Sequence, residues 1–195
     1  MTRAADATMA VAAGADMIGL NFSPSSRRFV STERALVVAA AVPSPVWKVG
    51  VFVNSSRAEV EEIRHRVGLD ALQFHGDEPA EMLAGWPCPV IRAFRIASAA
   101  DASAALDSSS PAYYLLEGDA GADYGGVGAG FKWAWAREIP ASRLIVAGGL
   151  KPENVADAVR SLRPFGVDVA SGVESEPGIK DAAATAEFIQ NAKST

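Results

Sequence analysis

Leu144-Ile-Val-Ala-Gly-Gly-Leu150 and Val167-Asp-Val-Ala-Ser-Gly-Val173 decide the fold of this chain. Each is a short apolar, β-branched run that ends abruptly in small residues. After the first comes Lys151-Pro152-Glu153-Asn154-Val155, with Pro152 where a first helical turn tolerates proline. A buried strand, a glycine turn and a helix make a βα unit. Two such units in succession, with Gly148-Gly149 and Ser171-Gly172 at the strand ends, can aim bare backbone N–H groups at one spot. Such a nest holds a phosphate without committing a charged side chain. In eight-stranded βα barrels that nest follows strands seven and eight.

Working outward, strand-like and helix-like segments alternate along the whole chain. Residues 3–13 read as an alanine-rich helix and 16–22 as a strand. Ser31 can cap a helix to about residue 41. Val46–Val53 is a strand, and Ser55 or Ser56 opens a charged helix over Arg57–Val67. Asp70–Phe74 is a strand before a short helix from Pro79. Pro89–Phe94 precedes a weak helix at 99–106, and Ala112–Leu116 precedes a glycine-rich loop, 118–130. A helical stretch lies near 133–138, and Asp181–Ala192 closes the chain as a helix. That is seven strands and eight helices, which implies parallel strands with right-handed crossovers. No linker or shift in composition divides residues 1–195, so a single domain is expected. Seven strands suit a doubly wound sheet; a closed barrel needs an eighth. The paired glycine turns favour the barrel, with the first helix standing where a strand should precede it.

The 195 residues are 49% apolar and 21% charged, enough for one full core. A net charge of −5 argues against nucleic acid as the main partner. The one cysteine, Cys88, excludes an intrachain disulfide framework and is compatible with the cytoplasm. The apolar N-terminal stretch is broken by Gly14 and Asp16, unlike a signal peptide, and no run of about 20 apolar residues predicts a membrane span. No His, Cys, Asp and Glu residues stand at metal-ligand spacing.

The pieces Gly14-Ala-Asp16, Ser26-Arg-Arg-Phe-Val-Ser31, Val49-Gly-Val-Phe-Val-Asn54, Gln73-Phe-His-Gly76, Tyr124-Gly-Gly-Val-Gly128, Gly148-Gly-Leu-Lys-Pro-Glu-Asn-Val155, and Val167-Asp-Val-Ala-Ser-Gly-Val-Glu174 with Pro177-Gly-Ile-Lys-Asp181 stand in order across the chain. With them the sequence from Thr2 onward resembles phosphoribosylanthranilate isomerase, an enzyme family of L-tryptophan, and hence aromatic amino acid, biosynthesis. The resemblance implies a small (β/α)8 barrel, here without its first strand. It implies an aldose–ketose isomerase, an intramolecular oxidoreductase, that performs an Amadori rearrangement with no cofactor and no metal. Its substrate is a small phosphosugar; monomer and homodimer are both open. A general acid opens the furanose and a general base removes the C2 proton.

Against the family pattern, the first strand and its terminal cysteine, the base, have no counterpart ahead of Met1-Thr2-Arg3. Cys88, between Pro87 and Pro89 at the start of a strand, belongs to the opposite end of a barrel and reads as a packed thiol. The family's acid, an aspartate at the end of strand six, matches Glu117 by register, with Asp119 as the alternative if the loop shifts. Glutamate moves the proton donor by roughly 1 Å, a displacement that matters for catalysis; the bland reading is a solvated strand-end carboxylate.

Arg28 matches the arginine that pairs with the anthranilate carboxylate, a task suited to a planar guanidinium, with a surface loop charge as the alternative. His75 is a strand-end residue near the substrate or a loop hydrogen-bonder; His65 reads as solvent-facing. Asp168 points into the mouth or is a structural carboxylate. Ser171, Gly172 and Gly149 are the phosphate donors, unless they form plain turns. Gly125, Gly126 and Gly128 read as a loop over the substrate. Lys132 replaces an aspartate usual in the family, and Trp133 and Trp135 read as packing residues. Besides the isomerase, two readings stand: a degenerate barrel that binds a sugar phosphate without catalysis, and a related histidine-pathway isomerase, which the Arg28 and Gln73–Gly76 segments disfavour.

Overall fold

Seven apolar runs pair side by side as parallel strands in strict sequence order: β1 (Met17–Asn21), β2 (Trp47–Phe52), β3 (Ala71–Phe74), β4 (Val90–Ile96), β5 (Tyr113–Gly118), β6 (Leu144–Val146) and β7 (Gly166–Val167). The computed structural model describes residues 1–108, 111–118 and 130–195. Helices α1 (Ala4–Ala12), α2 (Thr32–Ala39), α3 (Arg57–Val67), α4 (Ala80–Leu83), α5 (Ala99–Ser108), α6 (Pro152–Leu162) and α7 (Ala182–Lys193) connect or flank the strands. The sheet curls into a barrel open between β1 and β7. Because every strand is parallel, all seven point their C-terminal ends to the same rim, and the site forms there.

Local chemistry starts and stops these helices. Ser31 accepts from the Arg34 N–H at 3.2 Å, and Ser56 accepts from the Glu59 N–H at 3.3 Å. Asp181 caps α7 from the Ala184 N–H at 2.8 Å. Each satisfies an N–H that the helix itself leaves without a partner.

Period-two alternation then sorts the strands' side chains. Val49, Ala71, Ile91, Ala93, Leu115, Ile145 and Ala147 face inward and fill the barrel. Ile18, Leu20, Phe52, Leu72 and Phe74 face outward into one helix-packed core, and Tyr114, Leu116 and Val146 into another. At the N-terminal end of the barrel Trp47 meets Tyr113 edge-on, and Tyr113 stacks on Phe165. Continuing the same inward rows upward replaces apolar residues by Gln73, His75, Glu117 and Asp168, all lining a cleft at the C-terminal rim.

Local details refine the reading. β6 ends at Val146, just before the Gly148-Gly149 turn, whereas β7 ends at Val167, well short of Ser171-Gly172. Beyond them the small residues bend into turns, and Ser171–Val173 forms a 3-10 turn. Residues 133–138 are helical as read, in the 3-10 form, which leaves seven α-helices among the described residues. A small antiparallel hairpin, β8 (Glu174–Glu176) and β9 (Ile179–Lys180), was not anticipated. Its turn is Pro177-Gly178, a pair that marks turns wherever it occurs.

Candidate active site

The polar rim is built from four strand ends and the hairpin. Gln73 is the last inward residue within β3, and His75 follows two positions later on the same face. Glu117 ends the inward row of β5. These three connect directly. Gln73 Nε2 lies 3.1 Å from His75 Nδ1, and His75 Nε2 lies 2.7 Å from Glu117 Oε1. The side chains of His75 and Glu117 are 11% and 10% exposed, so the chain of hydrogen bonds is nearly dry. Glu117 is therefore a partnered carboxyl at the cleft and not a solvated strand end.

A second cluster faces it from the other side of the mouth. Arg28, on the loop after β1, makes a two-point contact with Glu174: Nε donates to Oε1 at 2.7 Å and Nη2 to Oε2 at 2.6 Å. Lys180 Nζ donates to Glu174 Oε1 at 3.1 Å and to the Ala170 carbonyl at 2.7 Å. Burial pushes the Glu174 carboxyl upward, but the Arg28 hydrogen bonds and the Lys180 charge outweigh it and hold the pKa below the ordinary value. Burial lowers Lys180, against the pull of Glu174.

Asp168 follows β7, its N–H bonded to the Val146 carbonyl at 2.9 Å. Its side chain is exposed to the cleft. Withdrawal from water at the cleft raises its carboxyl above its ordinary value, opposed chiefly by the charge of Lys180.

The two glycine turns lie together beside Asp168. Gly148 and Gly149 take φ of 75° and 66°, a left-handed pair that side-chain-bearing residues rarely adopt. Asn154, at the start of α6, ties this turn down: its Nδ2 donates to the Gly149 carbonyl at 3.0 Å, and its Oδ1 accepts from the Lys151 N–H at 2.8 Å. Gly172 packs directly on it; a Cβ there would stand 1.9 Å from the Leu150 carbonyl oxygen. Gly148, Gly149, Ser171 and Gly172 all line the same cleft as Arg28, His75, Glu117 and Asp168.

The remaining sequence candidates sort as follows. Asp119 and the Tyr124–Gly128 segment lie outside the described residues. Cys88 is half-buried beside the outer core ahead of β4, and burial pushes its thiol up. That is the barrel end opposite the cleft. His65 is exposed on α3. Trp133 and Trp135 pack against the second outer core, with the Lys132 ammonium 5.7 Å from the Trp135 ring centre. Among the described residues no group of three His, Cys, Asp or Glu is placed to hold a metal ion, and no helix is long and apolar enough to cross a membrane.

Residues 1–191 match the family model for N-(5'phosphoribosyl)anthranilate (PRA) isomerase. The chain belongs to that family. A PRA isomerase of Myxococcus xanthus is 45% identical over 199 residues, covering 100% of this chain and 93% of the relative. One of Pseudomonas fluorescens is 46% identical over 190 residues, covering 97% and 93%. The PRA isomerase crystal structure from Thermotoga maritima superposes with a TM-score of 0.90 at 36% identity, covering 100% of this chain and 96% of that one. A PRA isomerase in complex with reduced 1-(o-carboxyphenylamino)-1-deoxyribulose 5-phosphate gives 0.86 at 34% identity, with coverage of 100% and 96%. The PRA isomerase fold and the barrel read from the glycine turns are therefore the same.

Sequence reasoning assigned no role to Gln73, Glu174 or Lys180. All three sit inside motifs that carried the resemblance, so their positions were visible. Their contacts were not, because Arg28 and Glu174 are 146 residues apart and meet only when the barrel curls.

Proposed function

We propose that this chain is a phosphoribosylanthranilate isomerase of tryptophan biosynthesis, with Glu117 as its general acid. The observation that carries the assignment is the nearly dry His75–Glu117 pair facing the same cleft as the two glycine turns and Arg28. The substrate, N-(5-phosphoribosyl)anthranilate, has a phosphate at one end and an aromatic carboxylate at the other. The Gly148-Gly149 and Ser171-Gly172 turns take the phosphate through backbone N–H groups. Glu174 holds the Arg28 guanidinium at the cleft through its Nε and Nη2, and a planar guanidinium is the group suited to the substrate carboxylate.

Protonated Glu117 gives its proton to the ring oxygen. The C1–O bond breaks as the anthranilate nitrogen lone pair forms the C=N bond of the open-chain Schiff base. A base removes the C2 proton, and the resulting enol tautomerises to the ketone, 1-(2-carboxyphenylamino)-1-deoxyribulose 5-phosphate. Substrate and product are isomers, so the balance consists of proton transfers. The family's base is a cysteine. Among the described residues no cysteine lines the cleft, and the second reading is a barrel that binds the phosphosugar without turning it over.

Turnover of phosphoribosylanthranilate, followed by loss of its fluorescence, separates the two. On the isomerase reading Glu117→Gln lowers kcat by about 10²-fold or more. Arg28→Ala chiefly raises KM, since the arginine grips ground state and transition state alike. Turnover unaffected by Glu117→Gln would remove Glu117 as the acid. Tight binding of the product analogue with no turnover would establish the second reading.

A further inference from the structure

Gln73 and His75 are consecutive inward residues of one strand row, and only one polar group of Gln73 reaches the imidazole. An amide N–H at Nδ1 occupies the lone pair that a second ring proton would need. The neutral ring then carries its single proton on Nε2, 2.7 Å from Glu117 Oε1. We propose that Gln73 and His75 are positioning residues for the acid. Gln73 keeps His75 neutral in its Nε2–H form, and that N–H holds Oε1 of Glu117, which leaves the other carboxyl oxygen, Oε2, to carry the proton. This rests on Glu117 as the acid.

The consequence follows from charge. An imidazolium at this distance would favour ionised Glu117 and weaken it as a proton donor. A neutral N–H donor leaves Glu117 able to hold a proton on Oε2. It also stabilises the carboxylate left when that proton has gone to the ring oxygen. The opposite orientation of the Gln73 amide would place Oε1 at Nδ1. Nε2 would then be bare, and the carboxyl proton would be locked between Glu117 and His75, away from the substrate. The other charged groups of the cleft do not decide the matter in this way. Asp168, Arg28, Glu174 and Lys180 line the cleft, but among the described residues the direct partners of the His75 ring are Gln73 and Glu117.

The chain has two histidines, His65 and His75. ¹⁵N-histidine-labelled protein carrying His65→Gln therefore gives one imidazole to read by long-range ¹H–¹⁵N NMR near neutral pH. The expected spectrum is a neutral ring with Nε2 protonated and Nδ1 bare. Gln73→Glu sets a carboxylate at Nδ1 and is expected to make the ring doubly protonated, with kcat lowered about tenfold or more and KM little changed. Gln73→Leu keeps the bulk and is expected to release the ring into a mixture of tautomers. An imidazolium, or a ring protonated on Nδ1 alone, in the protein with Gln73 intact would overturn the proposal, and that measurement needs no Gln73 variant to fold. The spectrum is also independent of turnover. An inactive chain with the Nε2–H ring supports this hydrogen-bond chain and defeats the isomerase reading. An active chain with a bare Nε2 does the reverse.

Discussion

At Glu174 one carboxylate meets two cations, and all three side chains are largely withdrawn from water. Glu174 is 5% exposed, Lys180 6% and Arg28 18%. Removing the carboxylate leaves Arg28 and Lys180 facing each other, and breaking a buried pair costs far more than a surface one. Glu174→Ala is therefore expected to lose about 3 kcal/mol in urea unfolding at neutral pH. A loss under about 0.5 kcal/mol would place Glu174 among ordinary surface positions. The pH dependence has a definite sign. The folded carboxyl titrates below its ordinary value of 4.5, so its contribution is complete above that pH and disappears as pH falls through the folded value. Glu174→Gln should flatten that acid limb of the stability curve. The resemblance assigns Arg28 to a substrate carboxylate; its built-in partner Glu174 has no local signal in the sequence, since no pattern links residue 28 to residue 174.

Elements whose boundaries are set by local chemistry were legible. α3 occupies Arg57–Val67 as read, because Ser56 caps one end and Gly68 terminates the other. The first run turns at Gly148-Gly149 as its sequence indicates, whereas the second strand ends at Val167, ahead of Ser171-Gly172, because apolar composition there continues past the point where the backbone turns. What stops them is the contact between the two turns. Gly172 lies against the Leu150 carbonyl, and a methyl group there would sit 1.9 Å from backbone oxygen, which cannot rotate away as a side chain could. Gly172→Ala must push the Ser171–Val173 turn off the β6–α6 turn. The expected result is a loss of roughly 1–3 kcal/mol by overpacking and at least about tenfold weaker binding of the product analogue by calorimetry. A variant that binds normally would show that this pair of turns is not the phosphate nest. The buried Glu78 carboxylate does similar work next to His75 in the chain. It accepts from the Asn54 N–H at 2.8 Å and the Gly76 N–H at 2.9 Å, and pairs with Arg92, tying the segments that follow β2 and β3 to β4.

Across the whole molecule, alternation on seven parallel strands explains why a filled apolar interior turns polar at one rim, and that alternation could be read from sequence. The ring-wide contact of His75 with Glu117 could not, since it crosses the barrel from β3 to β5 past an intervening strand. Among the described residues the sheet has two edges, β1 and β7, with Met17, Gly19, Gly166 and Asp168 lining the space between them. The Met1 nitrogen donates to the Gly19 carbonyl on the open edge of β1. Residues added ahead of Met1 would thus continue along that edge, and one placed just before Thr2 would reach the rim where Asp168 and Glu117 stand. An apolar strand ending in Cys-Gly and joined there should pair with both edges and bring a thiol to the cleft. If that thiol is the base, kcat for phosphoribosylanthranilate rises at least about 100-fold over the 195-residue chain. The same extension with serine replacing cysteine should raise the melting temperature equally, because it buries the same apolar surface and pairs the same backbone groups. It should leave kcat low. Equal turnover by the cysteine and serine extensions would separate strand completion from base chemistry and assign the C2 proton to another group at the rim.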